Sequence, residues 1–174
     1  MIGEKRSDLV LAIRPFTCGF AFVLFEAPLS PIDWGTKEIR GAKWNARCLA
    51  AARSLIERTK PAVVVLPDHS ATPAREPERI KRLHRLLANY TDGESIELCR
   101  YTRAHIRECF AGVGAVTRYE IAQAIAAQVH AFGHRLPRVR RIWDPEDPRM
   151  YLFDAAALVM THYSSPRSRP PENE

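Results

Sequence analysis

The sequence predicts an α/β fold in which a five-stranded mixed sheet is flanked by helices. Three observations predict it. Three apolar, strand-like segments follow one another over residues 9–39 before any helical periodicity begins, which suits an antiparallel meander. Two later strand segments, 62–66 and 95–101, each come after a helical segment, so they can run parallel to the first strand. The run Ala62-Val63-Val64-Val65-Leu66 has no polar break, as expected of a central strand buried on both faces. Its place is beside residues 9–13.

The elements follow in order. Leu9-Val10-Leu11-Ala12-Ile13 is a short apolar strand, Arg14-Pro15-Phe16-Thr17 is a turn, and residues 18–25 return as a second strand. Residues 32–39 form a third, with Ile32, Trp34 and Ile39 on one buried face and Gly35 marking a bulge. Helical spacing begins at Lys43, where Trp44, Leu49, Ala52, Leu55 and Ile56 make an apolar stripe, and Lys60-Pro61 ends it. After the 62–66 strand, residues 73–77 are a loop. A second helix then runs to about Tyr90, with Ile80, Leu83, Leu86, Leu87 and Tyr90 as its core face. Thr91-Asp92-Gly93 turns the chain into the strand at 95–101. Thr102 caps a short helix through Phe110, and Gly112-Val113-Gly114 breaks it. Thr117 with Glu120 is a capping box opening a helix to about Phe132. Asp147 is the N-cap and Pro148 the first residue of a last helix, which runs to about Tyr163.

The chain has 174 residues, enough for one domain with a real core, placed at residues 1–163. Residues 164–174 are Pro, Ser and charge and are expected to be disordered. The net charge is +6 and the isoelectric point is near 9.4, which favours a polyanionic partner. Cys18, Cys48, Cys99 and Cys109 are scattered without a C-x-x-C, so neither a zinc knuckle nor a disulfide framework follows. A polar N-terminus without a signal-peptide core, and no apolar run of membrane-spanning length, give a cytoplasmic expectation with no membrane partner.

One residue stands out. Asp154 is the only charged side chain in residues 150–160. A carboxylate in so apolar a helix needs a cation, a hydrogen-bonding cap or a metal ion.

Three stretches carry a family resemblance. Leu11-Ala12-Ile13-Arg14-Pro15 with Gly19-Phe20-Ala21 is similar to an opening I-D-P-G-x-x-x-x-G. Lys60-Pro61 through Val65-Leu66-Pro67-Asp68 is similar to a strand that ends in a catalytic Glu. Phe153-Asp154-Ala155-Ala156-Ala157-Leu158 with Thr161-His162 is similar to an ending D-A-x-x-A-x-x-x-T-H. In this order, and over residues 8–163, the chain resembles RuvC-type Holliday junction resolvases of the ribonuclease H-like fold. The resemblance implies two-metal phosphodiester hydrolysis, in which clustered carboxylates hold two divalent ions about 3.5–4 Å apart. It also implies a homodimer or a subunit of a DNA-processing complex, acting on branched or duplex DNA.

The sequence departs from that pattern at its acidic positions. Arg14 stands where the family has its central Asp, and a guanidinium repels Mg²⁺. Pro67 stands at the strand-end Glu, with Asp68 immediately after it, and Tyr151 stands where an acidic residue often precedes the one matched by Asp154. Two readings of the site stay open. In one, Asp68, Asp147 and Asp154 bind Mg²⁺ and the chain is an active endonuclease with Asp68 and Asp154 as its catalytic pair. In the other, no cofactor is expected: Arg14 supplies the charge that Asp154 needs, and Asp68 and Asp147 serve a turn and a helix cap. The second reading is the expectation, a RuvC-like nucleic-acid-binding protein with degenerate metal chemistry. A structural protein without a nucleic-acid role is the remaining class.

Candidate nucleic-acid contacts fall in three groups: Arg79, Lys81, Arg82 and Arg85 in the second helix; Arg100, Arg103 and Arg107 around the fifth strand; and Arg138, Arg140 and Arg141, with Arg135, in a basic loop. His130 and His134 have a metal-compatible spacing without the accompanying Glu and read as solvated or capping histidines. His162 reads as a residue favoured by the dipole at a helix end. The chain has no G-x-S-x-G, P-loop or G-x-G-x-x-G, which argues against the phosphate-loop ATPases that share this core.

Overall fold

The structure, a computed structural model, describes residues 8–71 and 75–165. Residues 166–174 of the expected 164–174 tail and residues 73–74 of the expected 73–77 loop lie outside the described residues. The strands are β1 (Val10–Phe16), β2 (Gly19–Ala27), β3 (Ser30–Glu38), β4 (Val63–Pro67) and β5 (Glu97–Tyr101). The helices are α1 (Trp44–Thr59), α2 (Glu78–Gly93), α3 (Arg103–Phe110), α4 (Arg118–Gln128) and α5 (Arg149–Ser164).

The strands form one sheet in the order β3-β2-β1-β4-β5. β1, β2 and β3 make the antiparallel meander. β4 lies parallel between β1 and β5, and every residue of β4 is buried, as its unbroken apolar run requires. Alternation along the strands then divides the core in two. Val10, Ala12, Val63, Val65, Cys99 and Tyr101 face a layer built from α3, α4 and α5. Leu11, Ile13, Val64 and Leu66 face α1 and α2. Arg14 shares the parity of Val10 and Ala12, so β1 presents it to the α5 layer.

Several boundaries differ from the expectation. β1 does not turn at residue 14 but continues to Phe16, with Arg14 opposite Ala21 and Pro15 opposite Phe20. The parallel pairing to β4 has ended by Ala12, so Pro15 sits where the strand edge is open, a position that admits proline. The meander's bulge lies around Phe25, not at Gly35, which pairs regularly with Phe22. A β-carbon at Gly35 would stand 3.3 Å from the Phe22 ring, so the missing side chain makes room for that ring. Ile32 is exposed and Ile39 is buried against the α1–α2 layer, opposite to Trp34; residues an odd number apart in a strand cannot share a face. Residues 91–93 are the last turn of α2, and α4 stops at Gln128 before a 3-10 segment at His130–Arg135. Ser164 closes α5 instead of opening a tail.

Capping explains why α3 and α4 start where they do. Thr102 accepts from the His105 N–H, and His105 bonds back to the Thr102 N–H. Thr117 and Glu120 form the expected reciprocal pair, which satisfies otherwise orphaned donors at the helix start. His162 lies in the last turn of α5 as expected, but it is buried there, and its Nδ1 lies 2.8 Å from Tyr101 Oη in a hydrogen bond between α5 and β5.

Burial holds the His162 pKa below the ordinary histidine value, although Glu97 pulls it upward. The folded state therefore binds this proton less readily than the unfolded state does. The resulting stability is present in full above the unfolded value, about 6.5, and is lost as pH falls from there towards the folded value. Thermal unfolding followed at pH 7 and pH 5 should show a lower midpoint in acid, and His162→Gln should reduce the drop. A drop that is the same size in His162→Gln would contradict this assignment.

Candidate functional site

The site is built around Asp154, whose α5 neighbours are almost all buried while its own side chain keeps 19% exposure. Both carboxylate oxygens are held by one guanidinium. Arg118 donates from Nε to Oδ1 at 2.8 Å and from Nη2 to Oδ2 at 2.6 Å, the planar fork that arginine offers a carboxylate. Burial alone would lower the Arg118 pKa, but its hydrogen bonds to Asp154 and the charge there hold it above the ordinary value. Arg14 approaches from β1, with Nε 3.4 Å from Oδ2, and also donates to the Pro15 carbonyl.

A second tier fixes these cations. Arg118 also pairs with Glu146, and Tyr151 Oη donates to the same carboxylate at 3.0 Å. The Tyr151 ring stacks flat on Phe16, with centroids 4.2 Å apart. Arg14 and Arg118 stand 5.2 and 5.5 Å from its centroid, within cation–π range. Tyr151 thus occupies an expected acidic position with an aromatic platform for two guanidiniums.

The expected Arg14–Asp154 contact is present, but it is the longer of two. Arg118, which no sequence pattern singles out, supplies the fork. The capping box at Thr117 placed Arg118 on the first turn of a helix, which is the only trace of it in the sequence; nothing in the local pattern says which element that turn faces.

Asp68 lines the same cavity as Asp154. Its backbone extends β4 by donating to the Tyr101 carbonyl, and its Oδ1 accepts the Ser70 N–H at 2.9 Å. Hydrogen bonds from the Ser70 side chain and backbone keep the Asp68 carboxyl below the usual carboxylate range, against the upward push of burial. Pro67 lines the cavity beside it. Asp147 does not line it. Its carboxylate is engaged by the Arg149 N–H and by the Arg149 guanidinium at 2.7 Å, and α5 begins at Arg149, one residue later than expected.

The cavity encloses about 520 Å³. Five arginines line it: Arg14, Arg75, Arg103, Arg107 and Arg118. Arg103 and Arg107 belong to the expected basic group around the fifth strand, and Arg75 belongs to none of the three groups. Arg79, Lys81, Arg82 and Arg85 lie on α2, across the sheet from α5. Arg79 covers the Trp44 ring at 4.6 Å and donates to the Thr17 carbonyl, and Arg85 pairs with Glu78 at 3.3 Å. Arg100 is exposed, on the opposite parity of β5 from Cys99 and Tyr101. Arg138, Arg140 and Arg141 stand in the loop before α5 and do not line the cavity.

The donor set does not fit a pair of divalent ions. Such a pair needs clustered carboxylates, whereas both Asp154 oxygens already accept from Arg118 and a second guanidinium lies beside them. Among the described residues no three His, Cys, Asp or Glu side chains gather as a metal-binding group, and no helix is long and apolar enough to cross a membrane.

No protein-family profile and no curated protein sequence matches the chain. Solved structures do. Thermus thermophilus RuvC is 14% identical, with a TM-score of 0.61 over 90% of this chain and 95% of that one. The same protein in complex with a Holliday junction substrate is 16% identical, with a TM-score of 0.66 over 92% and 96%. The yeast mitochondrial Holliday junction resolvase is 15% identical, with a TM-score of 0.62 over 90% of this chain and 77% of its own. The chain therefore has the RuvC-like form of the ribonuclease H-like fold.

Removing Arg118 leaves a half-buried carboxylate facing only the longer Arg14 contact. Arg118→Met should lower unfolding stability in urea by about 2 kcal/mol, the partial exposure holding it below the cost of breaking a fully buried pair. Arg14→Met should cost less, and Arg118→Met with Asp154→Leu should recover most of the loss. Equal effects of the two single changes would contradict the assignment of Arg118 as the principal partner.

Proposed function

We propose that this chain is a nucleic-acid-binding protein, built on a RuvC-like fold, in which a fixed pair of guanidiniums stands in place of two-metal hydrolysis. The observation that carries the reading is the Arg118 fork on Asp154 with Arg14 beside it. A metal centre polarises a phosphoryl oxygen and delivers a hydroxide. A guanidinium can bind the phosphate but has no acceptor and no water to ionise.

Binding follows from the same surroundings. Arg75, Arg103 and Arg107 share a concave surface with the Asp154 cluster, and the chain carries a net charge of +6. Planar, always-charged donors on a concave wall suit phosphate oxygens. Two of the similar structures are a RuvC protein, one of them solved on a Holliday junction, which supports branched DNA as the substrate class. Duplex DNA offers the same phosphates, and the contacts to them carry little sequence information.

The test is titration of a fluorescent four-way junction and a matched linear duplex at low and moderate salt, with Mg²⁺ or Mn²⁺ added to follow nicking. Affinity should fall steeply with salt. Arg103→Ala with Arg107→Ala should reduce the log–log slope by about 2, roughly one released counterion per lost phosphate contact. Neither metal should support cleavage. Robust nicking that Asp154→Asn abolishes would overturn this reading in favour of an active endonuclease. Absence of binding at low salt would overturn it in favour of a scaffold.

A further inference from the structure

The loop between the 3-10 segment His130–Arg135 and α5 displays apolar side chains outward. Val139 is 69% exposed, Ile142 96% and Trp143 76%. Single exposed apolar residues are common on soluble proteins. Here three fall within five positions, and Arg138, Arg140 and Arg141 lie among them.

The display is braced. Asp144 closes a turn by donating its N–H to the Arg141 carbonyl at 3.0 Å, while its Oδ2 accepts the Arg141 N–H at 3.1 Å. Arg140 Nε donates to the Asp144 carbonyl at 2.8 Å. Ile142 and Trp143 occupy the two central positions of that turn. Outside it, Tyr119 Oη donates to the Pro137 carbonyl at 2.8 Å, and Glu146 is gripped by Arg118 and Tyr151. Arg118 lines the cavity, so the loop segment just after the turn is tied to the rim of the Asp154 site.

Charge selects the occupant. The loop's acidic residues are engaged within the molecule: Asp144 in the turn, Glu146 with Arg118, and Asp147 with Arg149 at 2.7 Å. What the loop offers outward is an indole, an isoleucine and guanidiniums, with the Arg141 guanidinium 5.7 Å from the Trp143 ring centroid. An exposed aromatic among arginines suits an unstacked base flanked by phosphates. An apolar side chain beside it suits insertion at a base step.

We infer that the Ile142–Trp143 turn is a stacking wedge for an unpaired or unstacked base of the bound DNA, with Arg138 and Arg141 meeting the adjoining phosphates. The inference rests on the nucleic-acid-binding reading and adds to it a preference for interrupted duplex. It also assigns a role to a loop that lies outside the cavity.

The experiment compares a fluorescein-labelled duplex carrying a short unpaired bulge with the same duplex fully paired, at one low salt concentration. Wild type should bind the bulged duplex more tightly. Trp143→Ala should weaken that complex about tenfold, within the range for loss of one base–aromatic stack, and change the paired complex less than about twofold. Trp143→Phe should retain most of the preference. A second readout is intrinsic fluorescence. Of the three tryptophans, Trp44 is buried and Trp34 half-buried, so the solvent-exposed emission belongs to Trp143, and it should be quenched by bulged DNA. Equal losses on both duplexes, or an unquenched indole with unchanged affinities, would overturn the wedge while leaving DNA binding intact. Failure of wild type to bind either duplex would overturn both readings. A fall in self-association with Trp143→Ala, without the bulge-specific loss, would overturn the wedge in favour of a protein contact.

Discussion

A carboxylate on the buried helix α5 must find a positive charge, and the way it does so ties together the elements around it. Asp154 draws Arg118 from the first turn of α4 and Arg14 from β1 onto one point. Leaving a charge half-buried and unpaired costs more than any single surface contact returns. That cost ties the start of α4, the end of β1 and the middle of α5 together. The capping box at Thr117 and Glu120 fixes where α4 begins, and so where Arg118 can reach from. Glu146, Tyr151 and Phe16 extend the same constraint to the loop before α5.

The same geometry changes what this end of the sheet can do. In a two-metal centre the positive charge is mobile, arrives from solution and carries its own water. Here the charge is covalently part of β1 and α4 and always present. It can attract and orient a phosphate, but it neither generates a nucleophile nor accepts a proton. Arg75, Arg103 and Arg107 enlarge the positive field around the cavity without adding an acidic ligand. On the proposed reading, these side chains serve a binding surface.

Much of this is legible in the residues themselves. The β-branched run at 62–66 marks a central strand because only burial on both faces tolerates it. The Thr102 cap of α3 and the Thr-x-x-Glu start of α4 follow from local hydrogen bonding. That Asp154 requires a partner follows from its apolar neighbours; that Arg14 lies near it follows from the family resemblance, in which Arg14 stands at the central acidic position. What was not legible depends on long-range placement. Arg118 lies 36 positions from Asp154 in sequence, and no local pattern pairs them. The continuation of β1 through Pro15 depends on where β4 stops pairing. The separation of Arg79, Lys81, Arg82 and Arg85 from the cavity arises because α2 packs on the other face of the sheet, while periodicity alone shows a helix's apolar stripe but not the layer it joins. The exposure of Ile142 and Trp143 has a related cause: it depends on the turn closed by Asp144, which composition alone does not show.

The most direct measurement of the central claim is Mn²⁺ binding, followed by the electron paramagnetic resonance signal of the free ion as protein is added. If the Arg118 fork and Arg14 take the place of a metal centre, the free-ion signal is undiminished at millimolar metal, and wild type and Asp154→Asn behave alike. Loss of the signal corresponding to about two ions per chain, restored by Asp154→Asn, would contradict it.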